Sequence, residues 1–375
     1  FVDAEEDGSP VNKKEEELRR LFYVGITRAA THLYISYPVF SNEGKNLEPS
    51  MFIAEISDKH PEIVSQSVSF TAEEIFDFQA LQFLEQTPQI EPAEEEFISA
   101  LLEKFSMNVT ALNNYLKCPL QFYYQNLIRI PSGKNEATEF GSAVHYALEK
   151  LFRNMQDAGK EVFPPKEEML ANFSWYLKKH RENFTKEAFD RRMEYGNEVL
   201  TNYYNKYINT WNKVVAVERN IRAVVVNGIP LKGKLDKLEF NGNRVNVVDY
   251  KTGDIDKAKN KLKAPNDKDP NGGDYWRQAI FYKLLIDNYK VKDWRVESTE
   301  FDFIEPDKNK VYHKQKIAIT PQDVETVEQQ VTETWQKIQN REFYTGCGKP
   351  ECYWCNFVKE NKLQKARYEH EEQEE

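Results

Sequence analysis

The 375 residues, 40% hydrophobic and 13% aromatic, suffice for two packed domains of ordinary size, about 100–200 residues each. No run of ~18 apolar residues occurs, so no membrane-spanning helix is expected, and four cysteines are too few for a secreted disulfide scaffold, which points to a reduced, cytoplasmic setting. The net charge of −10 excludes little: residues 61–103 hold ten acids and no Lys or Arg, the remainder balances 51 acids against 51 bases, and a basic groove for a polyanion stays open.

The first residues lack both an initiating Met and the charged-then-apolar order of a signal peptide, so a piece of a longer protein is expected. Leu18, Leu21, Phe22 and Ile26 predict a helix over 15–30, and the β-formers of 32–37, closed by Pro38, predict a strand. A short helical piece follows over 51–56. The acidic stretch reads as a linker over 57–104, with one helix over 72–85. Thr110 is a plausible N-cap for a helix through Lys117, and Pro119 suits the first turn of the next. Helices are predicted over 139–155 and 192–211, then strands over 214–219, 221–226, 230–240 and 244–250, with Asn241-Gly242 as a hairpin turn. A helix over 275–289, strands over 294–304 and 311–319 and a helix over 321–340 complete a mixed sheet flanked by helices.

The run Tyr23-Val-Gly-Ile-Thr-Arg-Ala29 resembles the last conserved motif of UvrD/Rep-type superfamily 1 helicases, over about the first 40 residues. The resemblance implies that residues 1–56 are the remnant of a RecA-like lobe, and that Arg28 reaches the γ-phosphate of ATP in an intact motor. Arginine suits that task because its planar fork pairs bidentately with phosphate. The chain has no G-x-x-x-x-G-K-[ST] loop, so ATP chemistry would belong to the longer parent alone.

Four pieces of the remaining 105–375 carry a second chemistry. Gly141-Ser-Ala-Val-His145 lies on a predicted helix, and Gly233-Lys-Leu-Asp236 and Asp249-Tyr-Lys-Thr-Gly253 lie on neighbouring predicted strands. Gln278 and Tyr282, four apart, share one helix face. Alone, each has an ordinary reading: a solvated Asp-x-Lys turn, a core histidine at helical spacing with Leu148 and Phe152, a surface glutamine, a core tyrosine. In this order they resemble the RecB family of PD-(D/E)xK nucleases, over roughly 109–357. The resemblance implies an α/β restriction-endonuclease-like core that cleaves DNA. It also implies Mg²⁺ (or Mn²⁺) held by Asp236, Asp249, His145 and the backbone carbonyl of Tyr250, with Glu218 as a weaker ligand. Carboxylates that hold such an ion can supply an activated water and neutralise the transition state. Lys251, on the same strand face as Asp249, would orient the water or stabilise developing charge. Gln278 and Tyr282 would position DNA or the Lys251 loop. Tyr275, Trp276 and Tyr282 would stack on bases, and the Lys-rich 257–268 segment would grip phosphates.

Cys118, in Tyr115-Leu-Lys-Cys-Pro119, and the cluster Cys347, Cys352 and Cys355 resemble the iron–sulfur staple of AddB-type nucleases. That resemblance implies a [4Fe–4S] cluster, although the spacing departs from the family's and Asn361 stands where a cysteine is usual. Four thiolates also suit Zn²⁺, and reduced thiols without any metal are the third alternative. The expected function is a metal-dependent nuclease domain of an ATP-dependent DNA helicase/nuclease in repair or recombination. Its partners would be single-stranded DNA or duplex ends and a second helicase/nuclease subunit, with no membrane. The alternative is a catalytically silent nuclease fold that binds DNA or docks a subunit.

Overall fold

A five-stranded mixed sheet organises the second of two compact units, Glu85–Glu375, in the computed structural model of the chain. The structure describes residues 10–365 except 42–44, 61, 64, 72, 73, 75–86, 132, 134 and 160, with side chains from residue 15 onward. The helix predicted over 72–85 lies, but for Glu74, outside the described residues.

In the first unit, Phe1–Leu84, helix α1 (Pro10–Ile26) and helix α2 (Met51–Lys59) meet through stacked Phe22 and Phe52 rings, 5.6 Å apart, and an Arg19–Glu55 ion pair. The strand expected over 32–37 does not form. A strand exists only where a neighbour takes its backbone hydrogen bonds, and among the described residues none pairs with this segment.

The second unit begins its helices within the stretch read as a linker: α3 (Glu95–Glu103) buries Ile98 and Leu102. Next come α4 (Val109–Lys117) and α5 (Pro119–Phe122), which runs into a π-helical turn at Tyr123–Leu127. Asn108, not Thr110, caps α4, because its side chain reaches the Ala111 N–H at 2.8 Å. Pro119 opens α5 as expected. Helix α6 (Glu136–Asp157) is capped by Asn135 and buries Phe140, Val144, Ala147, Leu148, Leu151 and Phe152 along one stripe. Each such Leu or Phe contributes ~1.5–3 kcal/mol relative to exposure. Helix α7 (Lys166–Lys179), absent from the sequence reading, buries Met169, Phe173 and Leu177 at four-residue spacing, and α8 (Lys186–Tyr207) packs beside it.

Strands β1 (Val215–Val226), β2 (Ile229–Asn241), β3 (Arg244–Lys251), β4 (Arg295–Phe303) and β5 (His313–Ile317) lie side by side in chain order. The two segments expected over 214–226 are one strand, because Asn220 pairs with Lys234 instead of breaking the ladder. Gly242, with φ 63°, supplies the left-handed residue of the two-residue turn between β2 and β3. Among the described strands the parallel pair is β3 with β4, joined through the short α9 (Ile255–Ala258) and the long α10 (Asp274–Asp287). Helices α11 (Pro321–Gln339) and α12 (Tyr353–Glu360) close the unit.

Alternation along β3 sorts the core into two layers. Val245 and Val247 pack in one cluster with residues of α4, α10 and α11. Val248 and Tyr250 pack in the other with α6, α7 and α8. Among the described residues no helix is long and apolar enough to cross a membrane.

Candidate active site

The ladder between β2 and β3 ends at the pair Lys237–Val248. Beyond it the Asp236 carboxylate replaces the missing strand partner: its Oδ2 accepts from the Tyr250 N–H at 2.9 Å. Its Oδ1 lies 3.3 Å from Nδ1 of His145, on α6, whose Nε2 lies 3.0 Å from the Tyr250 carbonyl oxygen. Two strands and a helix thus converge on the backbone of one residue, Tyr250. Gly141 permits the approach of α6, since a Cβ there would stand 3.0 Å from Thr252 Oγ1. Burial works against a charged His145, but the carboxylates of Asp236, Asp249 and Glu218 prevail and push its pKa up to about 9. Burial likewise works against the Asp236 charge, and the His145 ring, the Tyr250 N–H and the Lys251 ammonium together outweigh it, holding that carboxyl below its ordinary range.

Asp249 faces the other way, toward α10. Its Oδ1 accepts from the Tyr282 hydroxyl at 2.8 Å and from Gln278 Nε2 at 2.9 Å, and its Oδ2 lies 2.7 Å from Lys251 Nζ. Lys251 also donates to Gln278 Oε1 at 3.0 Å, and its ammonium sits 4.2 Å from the Tyr275 ring centroid. Burial opposes the Lys251 charge, yet the Asp249 carboxylate holds its pKa above the ordinary lysine value. Lys251 is therefore a cation here, pinned by a carboxylate, an amide and a ring face.

Glu218, the weakest candidate from sequence, stands on β1 opposite Asp236, between the pairs Val217–Lys237 and Arg219–Leu235. Its φ of 51° is left-handed, a conformation that a non-glycine residue rarely adopts within a strand. One ligand atom each from His145, Glu218 and Asp236 lies within 4.8 Å of the others. Asp249 is not in that group; its carboxylate is taken up by Lys251, Gln278 and Tyr282. The donor set still fits a hard divalent cation. Glu218 Oε2 and Asp249 Oδ2 are buried carboxylate oxygens, each in contact with a lysine ammonium, that of Lys234 and of Lys251. Carboxylates with one imidazole and one carbonyl suit Mg²⁺ or Mn²⁺.

Two clefts flank Lys234. One, about 480 Å³, is lined by His145, Glu149, Glu218 and Asp236. The other, about 620 Å³, is lined by Asn220, Arg222, Lys232, Gln278 and Tyr282. Lys232 has a lowered pKa, first from burial and then from the like charges of Arg129 and Arg222. The sequence reading missed this basic cleft; Lys232 and Lys234, two apart on one strand, were its signal. Trp276 and Tyr282, expected to stack on bases, are 2% and 4% exposed and belong to the core. Tyr275 instead stacks on Phe301, with centroids 5.2 Å apart. Arg277, also missed, is 2% exposed and donates to the Asn271 and Gly272 carbonyls, Asn113 and Gln330.

The four cysteines come together although Cys118 and Cys355 are 237 residues apart. Cys118 Sγ lies 3.9 Å from Cys355 Sγ, which lies 3.8 Å from Cys347 Sγ, and all four sulfurs fall within 4.8 Å of one another. The C-x₄-C-x₂-C spacing works because Cys347 approaches from the loop before α12, while Asn361 merely ends that helix. Arg28 lies just beyond α1, in the first unit, and is exposed.

A family model described as the PD-(D/E)XK nuclease superfamily matches residues 106–359. The chain is 21% identical over 310 residues to an ATP-dependent helicase/deoxyribonuclease subunit of Carboxydothermus hydrogenoformans, covering 62% of this chain and 27% of the relative. The equivalent helicase/deoxyribonuclease protein of Clostridium acetobutylicum is 21% identical over 197 residues, 38% of this chain and 17% of the relative. The chain therefore spans under a third of the length of these curated relatives. A solved structure of a candidate exonuclease from Eubacterium rectale aligns with a TM-score of 0.43 and 13% identity, covering 72% of this chain and 93% of that one.

Proposed function

Because the chain belongs to the PD-(D/E)XK nuclease superfamily, we propose that residues 105–375 are a magnesium-dependent DNA nuclease domain that hydrolyses phosphodiester bonds. The observation that carries this reading is the pairing, around Tyr250, of the Asp236–His145 and Asp249–Lys251 contacts at 3.3 and 2.7 Å. A silent docking module would have no need of a buried ammonium pinned beside carboxylates that oppose each other's charge.

Asp236, Glu218, His145 and the Tyr250 carbonyl would hold the divalent ion, with Asp249 joining them by giving up part of its contact with Lys251. When bound, that ion neutralises the scissile phosphate and acidifies a water. The Lys251 ammonium is aimed by Gln278 and Tyr275 to meet charge that develops on the phosphoryl oxygens. Tyr282 and Gln278 fix the Asp249 carboxylate. The neighbouring charges of Arg222 and Lys232 would take the phosphates of a strand that leads to the site. That assignment replaces the expected stacking by Trp276.

The longer parent is read as an ATP-dependent DNA helicase/nuclease that acts in repair or recombination in the cytoplasm, works on single strands or duplex ends, and pairs with a second subunit. Residues 1–56 would be part of its RecA-like lobe, with Arg28 meeting ATP only in the intact motor. The support is the Tyr23–Ala29 run and the exposed apolar side chains Leu21, Tyr34 and Ile35 that such a lobe would cover.

The test is cleavage of end-labelled single-stranded and duplex DNA with Mg²⁺ or Mn²⁺, beside Asp249→Ala and Lys251→Ala. Cleavage that needs the metal and is lost in both variants supports the domain and its site together. Metal-independent DNA binding with no cleavage would favour the silent module.

A further inference from the structure

We infer that Cys118, Cys347, Cys352 and Cys355 hold a single tetrahedral zinc ion, not the iron–sulfur cluster that the resemblance of their arrangement implies. The inference does not rest on the nuclease reading.

Size decides between the two. A zinc–thiolate bond is about 2.3 Å, so four sulfurs at the corners of a tetrahedron around one ion stand about 3.8 Å apart. The two measured separations are 3.8 and 3.9 Å, and no pair exceeds 4.8 Å. In a [4Fe–4S] cluster each thiolate bonds a different iron, so the whole cube of irons and sulfides stands between the sulfurs and drives them much farther apart. These four sulfurs enclose room for one ion and none for a cube. The wall around them is closely packed. A Cβ on Gly346 would fall 2.6 Å from Cys355 Sγ, so backbone already fills the space into which the sulfurs would have to spread. Tyr124, near Cys118 in the chain, stacks on Trp354 at 5.0 Å, and Trp354 is the immediate neighbour of Cys355.

The electrostatics agree. Four thiols that bind Zn²⁺ release four protons and leave a centre of charge −2, which needs local donors if it is buried. Against burial, backbone N–H groups favour the thiolates: those of Gln121 and Cys347 act to lower the Cys118 pKa, that of Gly348 the Cys355 pKa and that of Cys355 the Cys352 pKa. The ion would fasten the Cys118 corner between α4 and α5 to the start of α12, closing the unit from one end of its sequence to the other.

The test is elemental analysis of the whole chain, purified without oxygen from cells supplied with both iron and zinc, beside Cys347→Ser and Asp236→Ala variants. One zinc per chain, no iron and no acid-labile sulfide is the expected result. Zinc should persist in Asp236→Ala, which excludes the carboxylate site as its holder, and fall at least tenfold in Cys347→Ser. Cobalt exchanged into the site should give the intense visible bands of a tetrahedral thiolate centre. Iron and sulfide in equal amounts with broad visible absorption would overturn the inference. So would a folded chain with neither metal that fails to take up cobalt, or zinc that disappears with Asp236.

Discussion

Lys251 Nζ lies 2.7 Å from Asp249 Oδ2, on a side chain only two residues away along the same strand. Period-2 alternation puts both on one face, and burial makes each the main counter-charge of the other. If Lys251 stabilises charge that appears only in the transition state, Lys251→Met should lower kcat by about 10²–10³-fold. DNA affinity in calcium should change by less than about threefold. An equal loss in affinity and in rate would make Lys251 a binding residue instead.

Tyr282 reaches the same carboxylate from α10, with its hydroxyl 2.8 Å from Asp249 Oδ1. Tyr282→Phe removes one charge-assisted hydrogen bond, worth about 1.5–3 kcal/mol, while keeping the ring in the core. The expected outcome is a raised magnesium concentration for half-maximal cleavage, with thermal stability lowered by only a few degrees.

The His145–Asp236 contact fixes a pH dependence for stability in the absence of added magnesium. His145 rises from 6.5 to about 9 on folding, so its contribution is full below pH 6.5 and is lost as pH climbs through about 9. Asp236 falls below its ordinary 3.8, so its contribution is present above that pH and is lost on further acidification. Denaturant titrations should therefore show the stability gap between the native chain and His145→Gln widest between these limits and closing toward pH 9. A gap that grows with pH would contradict the assignment.

Arg277 satisfies two loop carbonyls, Asn113 and Gln330 from a position 2% exposed. Arg277→Ala would remove this fork from the Gly272 carbonyl, Asn113 and Gln330, leaving the Asn271 carbonyl the Gln330 amide, and should cost about 3 kcal/mol. Arg277→Lys, with one ammonium where a fork is needed, should recover less than half. The comparison is read by urea denaturation, with far-UV circular dichroism to confirm the fold.

The cleft beside Lys234 predicts a salt effect. If Arg222 and Lys232 each neutralise one phosphate of a single strand, either alanine variant should reduce the slope of log affinity against log salt by about 0.7. An unchanged slope in both would place the strand elsewhere.

Local sequence suffices for most of the order of elements from α4 to α11, because periodicity and turn chemistry act over a few residues. The residues that meet at the site are legible only through the resemblance of their whole order, from Gly141 to Tyr282, to a known nuclease family, since each alone has an ordinary reading. Other matters rest on tertiary contacts. The segment 32–37 has the composition of a strand, but pairing is a property of two segments, and among the described residues no second one pairs with it. Glu218 enters the His145–Asp236 group because β1 lies next to β2 and turns through a left-handed residue. Nothing local marked Arg277 as buried, since its acceptors come from three separated stretches of chain. The cysteines show the division most plainly. Four thiols at suggestive spacing allow a cluster, an ion or nothing, and only the distances between sulfurs, set by packing across 237 residues, tell a space for one ion from a space for a whole cube of irons and sulfides.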